Sequence, residues 1–181
     1  MHEQAAHPSG LQAQAGPWAM RVSRLVLTGA HRIEAVPARR TATSDSKLMK
    51  QRPAIGTACE RQFRVEPQHT IDFAGGGMPA VLSTPALVGL LERTARELMA
   101  PLLEPDEQTV GTEIELRHLA PTPLGATVTC IARVIHSEGV LTTFQVEARD
   151  EHELIARGLH QRAVIRVERF AQRLARKVGG A

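Results

Sequence analysis

Cysteine, aromatic side chains and long apolar runs are all scarce in this sequence of 181 residues. The two cysteines, Cys59 and Cys130, stand far apart and outside any metal-binding or redox spacing, which favours a reducing compartment. One Trp and four Phe are too few aromatic residues for a base-stacking surface, so we expect no nucleic-acid partner. No apolar run approaches the length of a membrane helix, and the N-terminus lacks the compact apolar stretch of a secretory signal. We therefore expect a cytoplasmic protein without a membrane partner.

The length and composition are those of one globular domain. Apolar residues make up 43% of the chain and charged residues 23%, and 181 residues are too few for two ordinary domains. The net charge of +3 gives only a weak preference for anionic ligands. Residues 1–56 mix Ala, Gln, Pro, Arg and Ser without a sustained period. We expect them to form a disordered extension in front of a domain that spans residues 57–181.

The spacing of apolar residues predicts one long helix and five strands. Ser83, Thr84 and Pro85 form a helix start, and an apolar band at helical spacing follows from Leu87 to Leu98. Residues 60–66 alternate as a strand does, and residues 69–73 could extend that strand after Pro67. A period of two predicts four further strands at about 109–118, 126–137, 140–150 and 154–168, before a short basic amphipathic helix at 170–177.

These elements predict an α+β fold in which a curled antiparallel sheet wraps around one long helix. Ser137–Gly139 and Asp150–Glu153 have the character of hairpin turns, so the strands they join should be antiparallel neighbours. One helix cannot also protect the edges of a wide sheet. We therefore expect a homodimer in which an edge strand pairs with its copy to give a continuous sheet.

Three residues are candidates for acid–base or nucleophilic chemistry. Glu92 lies on the apolar helix, Thr84 begins that helix two turns earlier, and His118 ends a predicted strand. Each has an ordinary explanation as well. Glu92 could pair with Arg96 one turn on, and Thr84 could simply cap the helix. His118 could be a structural or surface histidine. The residues taken singly leave both interpretations open.

Two further positions are equally open on chemistry alone. Arg162 could be a solvated strand residue or a partner for a carboxylate or phosphate group. Gly111 could relieve crowding within its strand or allow a carbonyl group to approach its backbone N–H. The remaining histidines have no metal-ligand spacing, so we expect no metal. A nucleophile elbow, a phosphate-binding glycine loop and an HExxH motif are absent from the sequence.

Taken together, the segments VLSTPALVGLLE, LMAPLLEPDEQTVGT, RHLAPTPLG and GLHQRAVI resemble the fluoroacetyl-CoA thioesterase family of hotdog-fold enzymes. The resemblance covers about residues 60–177 and agrees in spacing as well as in residue type. It implies a dimeric hotdog fold and hydrolysis of an acyl-CoA thioester to a free acid and CoA. CoA enters only as part of the substrate, and no cofactor is implied. By the resemblance, Thr84, Glu92 and His118 are catalytic, while Gly111 and Arg162 bind near the thioester.

The loop before the helix departs from the family pattern. The fluoroacetyl-specific member has a longer loop, with phenylalanines that gate its pocket. Here the matching stretch, Phe73–Pro79, is shorter and Gly-rich, with Met78 in place of a gating Phe. We therefore expect Met78 to contact a substrate whose acyl group is small or medium, without selectivity for fluoroacetyl.

Three other functions compete with hydrolysis. The main alternative is a non-catalytic hotdog protein that binds acyl-CoA as a sensor or carrier. Such a binder has little reason to keep Glu92 on a buried helix, where an unpaired and poorly hydrated carboxylate costs several kcal/mol. A hotdog dehydratase or hydratase would place its His and acid differently. A purely structural dimer would need neither Glu92 nor His118.

Overall fold

The computed structural model describes residues 48–179. Its elements, in chain order, are β1 (Ala58–Arg64), α1 (Thr84–Met99), β2 (Glu107–His118), β3 (Thr127–Glu138), β4 (Leu141–Arg149), β5 (Leu154–Arg166) and α2 (Val167–Val178). The helices and strands expected from apolar spacing are confirmed, with bounds that shift by a few residues. The suggested continuation of the first strand over residues 69–73 is wrong. Pro67–His69 instead forms a short 3-10 turn, in which the Thr70 hydroxyl donates to the Pro67 carbonyl at 2.8 Å.

Helix α1 starts at Thr84 because Ser83 caps it. The Ser83 hydroxyl oxygen accepts a hydrogen bond from the Ala86 N–H at 3.3 Å, and Pro85 lies in the first turn, where no N–H is needed. One side of the helix packs into the core through Leu87, Leu90, Leu91, Thr94, Ala95, Leu98 and Met99. Each fully buried leucine contributes about 2 kcal/mol. The other side, including Gly89 and Arg96, is exposed, so the single chain covers the helix on one face only.

All five strands form one antiparallel sheet in the order β1-β3-β4-β5-β2. The two hairpins predicted from the sequence join β3 to β4 and β4 to β5. β2 does not pair with β3, the next strand in sequence, but with β5, from Glu107↔Arg166 to His118↔Ala156. β1 takes the free side of β3. β1 and β2 are therefore the outer strands of the described sheet.

The residues of β3 and β4 that face the helix are fully buried. Alternate positions carry small or branched apolar side chains, because successive residues of a strand point to opposite faces of the sheet. The set comprises Val128, Cys130, Ala132 and Val134 on β3 and Phe144, Val146 and Ala148 on β4, all 0% exposed. These alternate positions form the face of the sheet that packs on α1.

The chain is already packed on the domain before the boundary expected at residue 57. Residues 1–47, most of the predicted extension, lie outside the described residues. Met49 is 2% exposed, and its backbone N–H donates to both carboxylate oxygens of Glu107, at 3.2 and 3.0 Å. The Glu104 N–H donates to the same carboxylate at 3.0 Å. This buried acid therefore ties the segment around residue 49 to the start of β2.

Helix α2 follows β5 directly and carries the basic C-terminal segment. It starts three residues before the predicted position, where the Val167 N–H donates to the Asp106 carbonyl at 3.0 Å. Val167, Phe170, Leu174 and Val178 line one exposed apolar side of the helix. Among the described residues no helix has the length and apolar character needed to cross a membrane.

Candidate active site

Thr84 and His118 meet where α1 begins and β2 ends. The Thr84 Oγ1 and His118 Nδ1 atoms are 3.0 Å apart. Because Ser83 caps the helix, the Thr84 hydroxyl is free for this contact, and capping does not account for the residue. Burial lowers the pKa of His118 from its ordinary value of 6.5, against a smaller opposite effect of the Ala120 backbone. The imidazole is therefore neutral near pH 7 and can accept a proton.

The second ring nitrogen of His118 lacks a partner in the described part of the chain. Its Nε2 atom is buried and makes no hydrogen bond there. A buried polar atom without a partner costs about 1–3 kcal/mol, so such atoms commonly mark a functional position. His118 thus contacts the Thr84 hydroxyl through Nδ1, and its Nε2 atom has no partner among the described residues.

Glu92 lies on the exposed side of α1 against β5. Its Oε1 atom is 3.6 Å from Arg162 Nη1 and 3.7 Å from His160 Nε2. The ion pair of this carboxylate is thus with a residue of the sheet and not with Arg96, one helical turn away. The Glu92 side chain is 40% exposed. The expectation of a poorly hydrated carboxylate is therefore wrong for the single chain.

Arg162 presents a buried guanidinium to Glu92. The residue is 5% exposed, and its Nε and Nη2 groups donate to the Thr109 side chain and backbone at 3.1 and 2.9 Å. Burial lowers the pKa of Arg162, the Glu92 carboxylate raises it, and the nearby Arg96 lowers it. Arginine still stays charged at any physiological pH. A fixed positive charge therefore lies beside the candidate acid.

Gly111 allows Glu92 to approach the edge strand closely. A Cβ atom added at position 111 would lie 2.2 Å from Glu92 Oε1, far inside van der Waals contact. The register of β2 against β5 shifts between Gly111 and Glu113, which leaves Thr112 as an extra residue. β-Bulges of this kind often occur beside active sites, where they redirect a side chain. The glycine and the bulge together make room for the carboxylate.

The five residues predicted from the sequence fall into two separate sets within one chain. Thr84 contacts His118, whereas Glu92 contacts Gly111 and Arg162. Eight residues of helix place Thr84 and Glu92 about 12 Å apart along the axis. Over residues 48–179 no contact is recorded between the two sets. Two surface cavities, of about 300 and about 70 Å³, are lined by residues of β2, β4 and β5, and neither includes Thr84, Glu92 or His118.

Met78 lies in a loop at the Thr84 end of the helix. Gly75 and Met78 exchange backbone hydrogen bonds of 3.1 and 2.9 Å, which close the loop into a tight turn. The loop is tied to the segment that follows His118, because the Leu82 N–H donates to the Thr122 carbonyl at 2.8 Å. The Met78 residue itself is 45% exposed. The structure therefore places Met78 in an exposed turn, six residues before Thr84.

Sequence reasoning missed His160. It had been grouped with the histidines that lack metal spacing, yet it is 1% exposed and contacts both Glu92 and Arg162. One signal was available. His160 and Arg162 are two residues apart in a predicted strand, so their side chains had to point to the same face.

The chain is similar in sequence and in structure to known thioesterases. The family described as fluoroacetyl-CoA-specific thioesterase matches residues 65–168. The fluoroacetyl-CoA thioesterase of Streptantibioticus cattleyicolor is 36% identical over 137 residues, which cover 71% of this chain and 97% of that protein. A solved mutant of a fluoroacetyl-CoA-specific thioesterase, in complex with fluoroacetate and CoA, is 36% identical. It has a TM-score of 0.61 and covers 65% of this chain and 99% of its own.

A third comparison concerns the fold class. A hot-dog-like protein from Thermanaerovibrio acidaminovorans is 27% identical with a TM-score of 0.65, over 70% of this chain and 94% of its own. The curled antiparallel sheet around α1 and the likeness to solved thioesterases define a hotdog-fold protein of the thioesterase class. More specifically, the chain belongs to the fluoroacetyl-CoA-specific thioesterase family.

Proposed function

We propose that this protein hydrolyses a small or medium acyl-CoA thioester to the free acid and CoA, with Thr84, Glu92 and His118 as its catalytic residues. The observation that carries the proposal is the pairing of a free Thr84 hydroxyl with the neutral imidazole of His118, on the helix that also presents Glu92. Family membership supplies the substrate class. The solved relative described above was obtained with CoA and fluoroacetate bound, which are the two products that its own substrate would give.

The residues supply the parts that thioester hydrolysis requires. Glu92 either attacks the thioester carbonyl carbon or takes a proton from a water molecule that does so. When Glu92 attacks, a C–O bond forms, the C–S bond breaks, and the resulting mixed anhydride is hydrolysed by water to the free acid and the Glu92 carboxylate. When water attacks, the free acid forms directly as the C–S bond breaks. In both routes the leaving sulfur takes a proton and ends as the thiol of CoA. His118 is the base or acid that moves a proton to or from the reacting group, and Thr84 orients it. In this proposal the Arg162 cation and the Gly111 backbone stabilise the negative charge that develops on the thioester.

A homodimer is part of the proposal. β2 is an outer strand of the described sheet and runs for 12 residues, so it has a long edge on which a copy could pair. The exposed side of α1 carries both Thr84 and Glu92. A second copy packed over that side would bring the Thr84–His118 set of one protomer toward the Glu92 set of the other. Dimerisation would also enclose a site that one chain leaves open.

The experiment is thiol release from a panel of acyl-CoAs, measured for the wild type and for Glu92→Gln. We expect the variant to lose about a hundredfold or more in kcat, because the amide can act neither as a base nor as a nucleophile. Glu97→Gln is the matched control, since Glu97 lies on the same helix but pairs with Arg61 on β1. Equal rates for wild type and Glu92→Gln would remove Glu92 from the mechanism. Saturable binding of acyl-CoA without release from any thioester would favour a sensor or carrier.

The same panel tests the acyl specificity. Acetyl-, propionyl-, butyryl- and hexanoyl-CoA should be hydrolysed at least as well as fluoroacetyl-CoA, because the short Phe73–Pro79 loop carries Met78 where the fluoroacetyl-specific member has a gating phenylalanine. A preference for fluoroacetyl-CoA by orders of magnitude would contradict this proposal and leave the hydrolase assignment intact.

A further inference from the structure

His160 is held in a single protonation state by its two hydrogen bonds. Its Nδ1 atom is 2.8 Å from the Glu113 carbonyl oxygen. Since a carbonyl can only accept, Nδ1 carries the hydrogen. Its Nε2 atom is 3.2 Å from Arg162 Nη1. Since an arginine nitrogen can only donate, Nε2 must be the acceptor. Both bonds are satisfied only by the neutral Nδ1–H tautomer.

The surroundings of the ring favour the same neutral form. His160 is 1% exposed and stacks on Phe144, with ring centroids 6.4 Å apart. Burial lowers the pKa of His160, and the Arg162 charge lowers it further. The Glu113 backbone and the Glu92 carboxylate act in the opposite direction. The ring can neither turn nor gain a proton at neutral pH without losing a contact.

The His160 imidazole holds the side of the Arg162 guanidinium that Thr109 does not reach. Thr109 accepts from Nε and Nη2 on one side of the group, and His160 accepts from Nη1 on the other. The other N–H of Nη1 points toward Glu92, whose backbone carbonyl accepts it at 3.5 Å and whose Oε1 atom lies 3.6 Å from Nη1. The guanidinium is planar, so fixing its three nitrogens fixes the positive charge of the group against Glu92.

The Glu92 carboxylate depends on that fixed positive charge because little else restrains it. The side chain is 40% exposed, and its position against Gly111 leaves it free to swing into solvent. Misplacing a reacting group by about 1 Å costs on the order of a hundredfold in rate. A restraint on Arg162 is therefore a restraint on the reacting acid.

We propose that His160 is a positioning residue, which acts through Arg162 to hold the Glu92 carboxylate in place for the reaction. The inference rests on the proposed thioester hydrolysis and adds to it a residue outside the Thr84, Glu92 and His118 group. His160 itself makes its contacts with protein groups and takes no part in bond making or breaking.

Two isosteric variants separate positioning from a merely structural role. In His160→Gln the amide oxygen can reach the Nε2 position and accept from Arg162. In His160→Asn the amide N–H can reach the Nδ1 position and donate to Glu113, but no acceptor faces Arg162. We expect His160→Asn to lower kcat by about a hundredfold with little change in KM, and His160→Gln to keep kcat within about tenfold of wild type.

The control is Val146→Ala, which removes buried volume from β4, the strand next to β5. It should lower the melting temperature without lowering kcat. If His160→Asn keeps the wild-type kcat, or if His160→Gln has the lower kcat of the two variants, His160 only stabilises β5 and the inference fails.

A measurement without turnover keeps the inference separate from the proposed function. In NMR spectra of the wild type, the Arg162 side-chain N–H signals should exchange slowly with water, and they should do so in His160→Gln. In His160→Asn they should broaden or vanish. If no thioester is hydrolysed by the wild type, the proposed function fails, and the Arg162 signals still decide whether His160 fixes the guanidinium. Signals that are the same in all three proteins would overturn the inference.

Discussion

At position 111 a hydrogen atom stands where any other residue would place a carbon against the Glu92 carboxylate. The added Cβ of an alanine would lie 2.2 Å from Glu92 Oε1 and 3.2 Å from His160 Cε1. Since Glu92 is partly exposed, its side chain can move away into solvent at little cost in stability. A side chain at position 111 should therefore displace the Glu92 carboxylate and have little effect on folding stability.

Gly111→Ala should consequently lower kcat by about tenfold or more while the melting temperature changes little. Gln108→Ala, an exposed position on the same strand, is the control for a general effect on β2. Steady-state hydrolysis and thermal melting of the two variants are the measurements. An alanine variant that unfolds easily but turns over normally when folded would show that Gly111 serves packing.

The half-buried His118 and the buried His160 also make stability depend on pH. Burial lowers the pKa of both His118 and His160 in the folded protein, whereas both are near 6.5 when unfolded. Below about pH 6.5 the unfolded state therefore binds more protons than the folded state, and stability falls as the pH drops. The loss of stability reaches its full size only below the pKa values that the two histidines have in the folded protein, and it is absent above about pH 7.5.

Thermal melts at about pH 7.5 and about pH 5.5 test this dependence. His160→Gln should lose less melting temperature on acidification than the wild type, because one of the two groups can no longer titrate. His136→Gln removes a histidine whose side chain is 61% exposed and should follow the wild type. The same acid-dependent loss in all three proteins would assign the effect to other groups.

At the scale of elements, Glu107 links the start of β2 to the segment around Met49. Its buried carboxylate accepts from the Met49 and Glu104 N–H groups. In Glu107→Gln the amide oxygen can take the Oε2 position and accept from both groups, but without the negative charge, and the amide N–H then faces the Met49 N–H at the Oε1 position. We expect the free energy of unfolding to fall by about 2 kcal/mol in chemical denaturation. Glu115→Gln, an exposed change on the same strand, should have no measurable effect.

The sequence predicted those parts of the fold that depend on local physics. Ser83 predicts a helix start because its side chain can cap the helix, and Pro85 because the first turn needs no N–H donor at that position. The turn at Ser137–Gly139 predicts a hairpin. The strand partners of β1 and β2 were not predictable in this way. The connections before β2 and before β3 are longer than hairpin turns and allow several strand pairings. Which pairing forms depends on packing around α1.

The catalytic roles of the candidate residues stay predictions, and only their placement can be compared with the structure. Residue types and spacing identified Thr84 and His118, which the structure brings into contact. Position along a strand or a helix does not report how far a side chain is covered, so the sequence did not reveal that His160 is buried and that the Glu92 side chain is 40% exposed. Neither could the sequence reveal the bulge at Thr112, because one extra residue in a strand changes no local pattern.

At the scale of the whole molecule, the separation of the two residue sets along α1 favours, in the proposed homodimer, a site shared between protomers. Thr84 and His118 lie at one end of the exposed helix side, and Glu92 lies about two turns away. A twofold dimer that packs two such sides in opposite directions would create two equivalent sites. Each site would combine the Thr84–His118 set of one protomer with the Glu92 set of the other.

Complementation between two inactive variants tests this arrangement. Thr84→Ala and Glu92→Gln are co-expressed with different affinity tags, and the mixed dimer is isolated through both tags. In a shared site, one of its two sites receives Thr84 and Glu92 from the protomers that retain them, so about half of the wild-type rate should return. The mixed dimer of Thr84→Ala with His118→Ala is the control. Those residues belong to one set, so neither site is intact and activity stays lost. If the first mixed dimer is as inactive as its parents, each protomer carries a complete site, and the exposed side of α1 must be closed by movement within one chain.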